Sequence, residues 1–312
     1  MKIWGAAKLA PQFYFQRKET EMKISADHHF SIGEQHLKQG KPCQDYAISG
    51  EFENLYFAIV SDGCSGGQNT DVGARFTALS AGAAIKNSWF LNCDAFDEKI
   101  VGEIDIEQNI IQRGTYRILG LKEEDMLATC LYACFSDSGG FAHILGDGVL
   151  AWKSADGLIS MRRFDWADNA PMYPIYRENN FRTFTQFHGG NIEARRLTAE
   201  EWIYAPNRGH EHVKTSEFTV GDGIKGQTEA FSALCLEGQK IEFVAIFSDG
   251  ITQVENMDWK DAVFEMLSFK NTAWAFAKRR AISFLKNTRD SGKRPMDDLA
   301  YAVIRIGQEY AK

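Results

Sequence analysis

No stretch of the 312 residues stays apolar for the ~18 positions that a membrane-spanning helix needs, so a helical membrane protein is not expected. The opening residues, MKIWGAAKLAPQFYFQRKETE, hold no continuous apolar core of the secretory kind. Met22 then begins MKISADHHF, so residues 1–21 read as an N-terminal extension or as a mis-assigned start. Prolines are few, only 6, which argues against Pro-rich linkers. Repeats and low-complexity tracts are missing. Six cysteines are present, but no pair is spaced CxxC and no histidine accompanies them at ligand spacing, so a zinc site is not supported. Cys130 and Cys134 lie in the apolar run LATCLYACF and read as small buried hydrophobes in a reducing, cytoplasmic setting. A basic excess is missing too. Lys plus Arg number 35 against 42 Asp plus Glu, a net charge of −7, which argues against a nucleic-acid partner.

What is present is the composition of an ordinary globular protein. Hydrophobic residues make up 44% and charged residues 25%, in a chain long enough to bury a sizeable core. No linker composition divides residues 22–312, which read as one domain expected to act as a monomer. Within it, the stretch at about 160–240 has aromatics, Asn-Asn, Gly-Gly and scattered charges without a clean period. It reads as an irregular insertion or a flap over a site.

Elsewhere the pattern is that of buried strands. Leu55–Ser61 (LYFAIVS) ends in Asp62-Gly63 and a Gly-rich turn, before an Ala-rich helix with Asp71 near its start. Met126–Phe135 and Gly140–Leu145 read as successive strands of an antiparallel meander, followed after Gly146-Asp147-Gly148 by a strand at Val149–Lys153. Ile241–Ser248 (IEFVAIFS) ends in Asp249-Gly250, and a mostly helical stretch runs from about 257 to 286. Asp297-Asp298 closely precede a last strand, Leu299–Ile306.

Three strands therefore deliver an aspartate at or just past their ends, Asp62, Asp147 and Asp249, and Asp297 precedes a fourth. One Asp-Gly after a strand is only a turn signal. Four such carboxylates meeting in one place would repel each other, and a divalent cation offsets that best. Hard oxygen donors without a Cys or His cluster suit Mg²⁺ or Mn²⁺. The glycine after each of the three leaves room for a carbonyl or a phosphate oxygen to approach. Paired ions of this kind ready a water and clamp a transferring phosphoryl group, so the chemistry implied is phosphate-ester hydrolysis.

Five segments in order, PCQDYAISG, FAIVSDGCSGG, HILGDGVLAW, VAIFSDGITQV and MDDLAYAVI, resemble the motifs of the protein phosphatase 2C family of metal-dependent serine/threonine phosphatases, in its divergent bacterial branch. The resemblance spans about residues 30–306. It implies an α+β fold, a sandwich of two antiparallel β-sheets flanked by helices on both sides. It implies two Mn²⁺ or Mg²⁺ ions, a phosphorylated protein as substrate and a Ser/Thr kinase as the opposing activity. By position, Asp62 matches the bridging aspartate and Gly63 the glycine whose carbonyl helps to bind one ion. Asp249 and Asp297 match the carboxylates that complete the other shell. Asp45 matches the acidic position of the first motif, with Gln44 where some members have Glu. Asp147 matches the aspartate of a looser third ion, and Thr129 a small hydroxyl residue of structural role.

Two positions depart from the family. Where members carry a phosphate-gripping Arg, five residues before Asp45, this chain has Gly40; Lys38, Lys41 or His36 are the substitutes at hand, though Lys lacks the bidentate fork of Arg. His36 is also placed to protonate the leaving alkoxide. Where members carry a further third-ion Asp, this chain has Gln253, and a neutral amide leaves the third ion open. Both departures favour a rival reading, a catalytically weak phosphatase-like module that binds a partner. A metal phosphodiesterase or nuclease is a second rival, disfavoured by the acidic charge. His28 and His29 read as surface histidines, and His143 as facing the core or a neighbour. Cys64 lacks the CxxxxxR cradle of a cysteine phosphatase, since Arg75 lies eleven residues on.

Overall fold

Strands that are apolar at every position need cover on both faces, and the fold supplies it in four layers. The computed structural model describes residues 22–92, 98–179, 181–187 and 196–308. Its strands are β1 Met22–Ser31, β2 Asp45–Phe52, β3 Leu55–Asp62, β4 Cys130–Ser136, β5 Gly139–Leu145, β6 Gly148–Ser154, β7 Ile159–Trp166, β8 Leu197–Ala205, β9 Gly209–Phe218, β10 Gln227–Ser232, β11 Ile241–Phe247 and β12 Leu299–Gln308. One sheet has the order β1-β12-β11-β6-β7-β8-β9, the other β10-β5-β4-β3-β2. Among the described residues the strands of both sheets pair antiparallel throughout.

The two sheets face each other across a core that includes Ala58, Val60, Leu131, Ala133, Val244 and Ile304. The opposite face of the five-stranded sheet carries α2 (Thr70–Asn92) and α3 (Glu98–Thr115), which follow the short α1 (Glu34–Gln39). There Phe57 and Ile59 of β3 pack on Ala78, Ala81 and Ile85 of α2. The alternation along β3 thus sends even positions to the inter-sheet core and odd ones to the helices, which is why LYFAIVS is apolar throughout. Small residues let α2 lie close. A Cβ on Gly73 would come within 1.9 Å of the Asp125 carbonyl oxygen. Short helices α4 (Arg182–Phe187), α5 (Val220–Ile224) and α6 (Ala233–Gln239) serve the periphery. Helices α7 (Trp259–Met266) and α8 (Phe276–Asp290) cover the outer face of the seven-stranded sheet, burying Val263, Met266 and Phe284 against Val149, Ala245 and Tyr301. The expected sandwich with helices on both sides is what the chain forms. Among the described residues no helix is long and apolar enough to cross a membrane.

Two expectations about connectivity are corrected. Strands β4 and β5 pair as a hairpin, but β6 leaves them and joins β11 and β7 in the other sheet. Gly146-Asp147-Gly148 is therefore a crossing between sheets and not the next turn of a meander. Both glycines have positive φ, 113° and 139°, and a Cβ on Gly148 would meet the Phe247 carbonyl oxygen at 2.5 Å. Only glycine fits such a crossing.

The stretch at 160–240 is also more regular than its sequence suggests. It holds β7, β8 and β9, which extend the seven-stranded sheet, and β10, which edges the other. The period is masked because β9 lies mostly in solvent and β8 buries only Leu197 and Ala199 fully. A strand with water on both faces has no need to alternate. Residues 1–21, where the extension or alternative start falls, lie outside the described residues.

Candidate active site

The acidic residues converge at one end of the sandwich because antiparallel pairing brings strand ends together. Asp45 opens β2 and Asp62 closes β3, and the two are Cα partners in register. The end of β3 is clamped by Thr129, whose N–H donates to the Asp62 carbonyl at 2.8 Å and whose Oγ1 accepts from the Asp62 N–H at 3.0 Å. The serines before Asp62-Gly63 and Asp249-Gly250 are fully buried and structural. Ser61 Oγ donates to the Thr129 carbonyl at 2.6 Å. Ser248 Oγ donates to Asp45 Oδ2 at 2.6 Å and accepts from the Ala300 N–H at 2.9 Å, tying β2, β11 and β12 into one corner.

Asp249 follows β11 at the start of a 3₁₀ turn, and its carboxyl group is in hydrogen-bonding contact with that of Asp62. Asp147 joins the cluster from the inter-sheet crossing and acts electrostatically on Asp62. Gln253 donates its amide to Asp249 Oδ2 at 2.8 Å and to Asp297 Oδ2 at 3.3 Å. The residue that departs from the expected third-ion aspartate thus bridges two carboxylates. Asp62, Gly63, Asp147, Asp249, Asp297 and His36 all line one small cavity of about 70 Å³.

The glycines after Asp62 and Asp249 make room for the protein's own backbone more than for a ligand. A Cβ on Gly63 would lie 2.5 Å from the Thr70 carbonyl oxygen, and one on Gly250 would lie 1.8 Å from that of Asp298.

Burial raises the carboxyl pKa of Asp62 well above its usual value, and the charges of Asp45, Asp249 and Asp147 push it the same way. Burial likewise raises Asp45, against the lowering effect of the Ser248 hydroxyl. It raises Asp147 with help from Asp249, and Asp249 with help from Asp297. Partly and fully buried carboxylates that repel one another, beside a backbone turn at Gly63, form an oxygen-rich donor set that fits hard divalent cations. The residues therefore suit Mg²⁺ or Mn²⁺.

Asp298 was not among the expected site residues, although it stands in the Asp297-Asp298 doublet. It is the most heavily engaged carboxylate of the region. Its Oδ1 accepts from the Gly33 N–H at 2.7 Å, and its Oδ2 accepts from the Gln44 N–H at 2.6 Å and contacts His36 Nδ1 at 2.8 Å. His36, Asp297 and Asp298 each bring one potential ligand atom within 4.8 Å of the others. Because both Asp298 oxygens are already occupied, we assign it to holding His36 and the first-motif loop. Lys38 and Lys41 do not line the cavity. The Lys38 side chain is 65% exposed and pairs with Glu34 at 3.6 Å, and Lys41 points to solvent. His28 contacts Ser49 Oγ at 2.9 Å, away from the cluster, and His143 is buried against Tyr132 and Thr228. Cys64 lines the cavity as a free thiol.

The sequence profile of the family described as Protein phosphatase 2C matches residues 32–280. The chain belongs to the protein phosphatase 2C family. The match ends before Asp297, which the fold returns to the site through β12. No curated protein matches the chain. Among solved structures, a point variant of a bacterial serine phosphatase is 12% identical, with 93% of this chain and 100% of that chain covered and a TM-score of 0.54. A second variant of a bacterial serine phosphatase is 12% identical over 92% of this chain and 100% of that one, with a TM-score of 0.50. The serine/threonine phosphatase Stp1 from Staphylococcus aureus is 12% identical over 91% and 96%, with a TM-score of 0.49. The first two likenesses bear on the fold alone, and they agree with the protein phosphatase 2C sandwich.

Proposed function

We propose that this chain is a metal-dependent protein phosphatase that hydrolyses phosphoserine and phosphothreonine, opposing a Ser/Thr kinase in the cytoplasm. One observation carries the reading. Carboxylates from four separate elements, the buried Asp45 and Asp147 and the half-buried Asp62 and Asp249, gather in one place and are raised by desolvation and mutual charge. A protein keeps such a cluster at a cost in stability, and in this family the purpose is to hold ions.

Asp62, which lies beside Asp45 and Asp249, would hold Mn²⁺ or Mg²⁺ together with Asp45, Asp249, Asp297 and the Gly63 carbonyl. When bound, the ions supply an activated water and neutralise charge on the phosphoryl oxygens. The chain's own part is positioning. Ser248 and Thr129 fix the ends of the strands that carry Asp45 and Asp62, and Gln253 fixes Asp249 against Asp297. His36, gripped at Nδ1 by Asp298, faces the same cavity and is placed to hand a proton to the departing serine or threonine oxygen. A third ion would rest on Asp147 and Asp249, with Gln253 as a neutral neighbour.

Release of phosphate from a phosphoserine peptide or p-nitrophenyl phosphate with Mn²⁺, lost in EDTA and in Asp62→Asn, is the expected result. Full activity in EDTA refutes the reading. The outward-facing Lys38 and Lys41 favour a second reading, a catalytically weak module that binds a phosphoprotein without turning it over. Tight Mn²⁺ binding with no turnover on any phosphorylated substrate would select it.

A further inference from the structure

A second cavity, of about 190 Å³, opens beside the carboxylate cluster. Asp147, Arg163, Asp165, Asn169, Asp249 and Thr252 are among its lining residues. It shares Asp147, Asn169 and Asp249 with the smaller one. Among the described residues that line either cavity, Arg163 is the only Arg or Lys.

The surroundings of Arg163 suit exchange. It sits on β7 opposite Val149 of β6. Its Nη2 is 2.8 Å from Asp165 Oδ2, two residues on along the same face of the strand. The two side chains are 33% and 51% exposed, so the pair is partly in water and weakly held. A guanidinium can release such a partner for a better oxyanion, which it grips through two parallel N–H donors. Asn169, which lines both cavities, belongs to a tight left-handed turn. Asp168 and Asn169 are consecutive residues of positive φ, 58° and 51°. Two adjacent non-glycine residues in that region are uncommon, and such strain gathers at sites that bind ligands.

We infer that Arg163 binds an oxyanion of the substrate, with Asp165 as the resting partner that it exchanges. The inference rests on the phosphatase reading above and gives that site its cationic contact. Two sources present the same chemistry: the transferring phosphoryl group, and an acidic side chain beside the phosphoresidue.

The test compares wild type, Arg163→Ala, Arg163→Lys and Asp165→Asn, with thermal unfolding as the check on folding. Binding of inorganic phosphate to the Mn²⁺-loaded protein is measured by calorimetry. Turnover is measured with p-nitrophenyl phosphate and with phosphoserine peptides flanked by Asp or by Ala. Loss of a charge-assisted hydrogen-bond pair predicts a fall of about 10- to 100-fold for Arg163→Ala, partial recovery in Arg163→Lys, and binding at least as tight as wild type in Asp165→Asn. A fall in kcat/KM on all three substrates assigns the transferring phosphoryl group. A fall confined to the Asp-flanked peptide assigns the flanking carboxylate. Arg163→Ala that binds phosphate and turns over every substrate like wild type overturns the inference and leaves the phosphatase reading standing. A wild type that turns over nothing, yet binds phosphate in an Arg163-dependent way, overturns the phosphatase reading and leaves the role of Arg163 standing.

Discussion

Strand β3 and strand β9 follow opposite rules in one molecule. From Phe57 to Val60, β3 is buried on both faces, between α2 and the facing sheet, and it ends in Asp62. Strand β9, at the far edge of the seven-stranded sheet, lies mostly in solvent, and its neighbour β8 is only partly buried. The centre can hold mutually repelling carboxylates because the packing around them is too costly to rearrange. The edge tolerates a half-exposed ion pair such as Arg163–Asp165, on the β7 strand that leads out to it. Rigidity for ion ligands and give for a substrate contact are thus separated along one sheet.

The sharpest way to break this contrast is Asp62→Asn. Turnover with Mn²⁺ is expected to fall on the order of 10³-fold, while the metal-free protein melts at a higher temperature because a buried charge is gone. Scanning calorimetry in EDTA beside a phosphatase assay checks both halves. A drop in the metal-free melting temperature would show that the cluster is not self-repelling.

Packing comes next. Ile59→Ala removes a fully buried side chain beneath α2 and should cost about 2–5 kcal/mol by chemical denaturation. Val213→Ala on β9, where the side chain is 49% exposed, should change stability by less than about 0.5 kcal/mol. Equal costs would erase the distinction between centre and edge.

Glycine gives a finer comparison. At Gly250 a Cβ would lie 1.8 Å from the Asp298 carbonyl oxygen, so Gly250→Ala should cost about 3 kcal/mol and loosen the site. At Gly209, the first residue of β9 after the turn from β8, φ is +77° with no atom within 4 Å of the added Cβ. Gly209→Ala should therefore cost only the backbone strain, about 1 kcal/mol, and leave turnover unchanged.

The last comparison is a pH slope. Burial holds the His143 ring down to about 3 from an ordinary value of 6.5. The unfolded chain therefore takes up this proton near pH 6.5 while the folded chain refuses it, so His143 costs stability progressively as pH falls from about 6.5 to about 3. His143→Asn should flatten that part of the stability profile. The raised carboxylates act in the opposite sense in the metal-free protein. Their folded values lie above 3.8, so stability present at low pH is lost as pH rises through them. Mn²⁺ should suppress that second slope and leave the first.

Much of the centre was readable from the chain. LYFAIVS, IEFVAIFS and LAYAVIRI are apolar at successive positions, because each strand is covered on both sides, and the aspartates at their ends follow from that periodicity. The edge was not readable. Strands β8 and β9 lack a signal because water on their faces imposes no alternation, and the hairpin-like sequence around Asp147 hid a crossing between sheets. Asp298 was overshadowed by Asp297, since a doublet of identical residues does not say which member turns inward.

Local chemistry was settled by the order of residues alone: which segments are strands, where a carboxylate follows each, and that hard oxygen donors outnumber every other ligand type. Which carboxylates meet, which one is consumed in holding His36, and that Arg163 lines the neighbouring cavity while Lys38 and Lys41 face away depend on contacts between residues up to 265 positions apart. Register between strands and the path of a crossing are set by the packing of whole sheets, and no local run of residues encodes them.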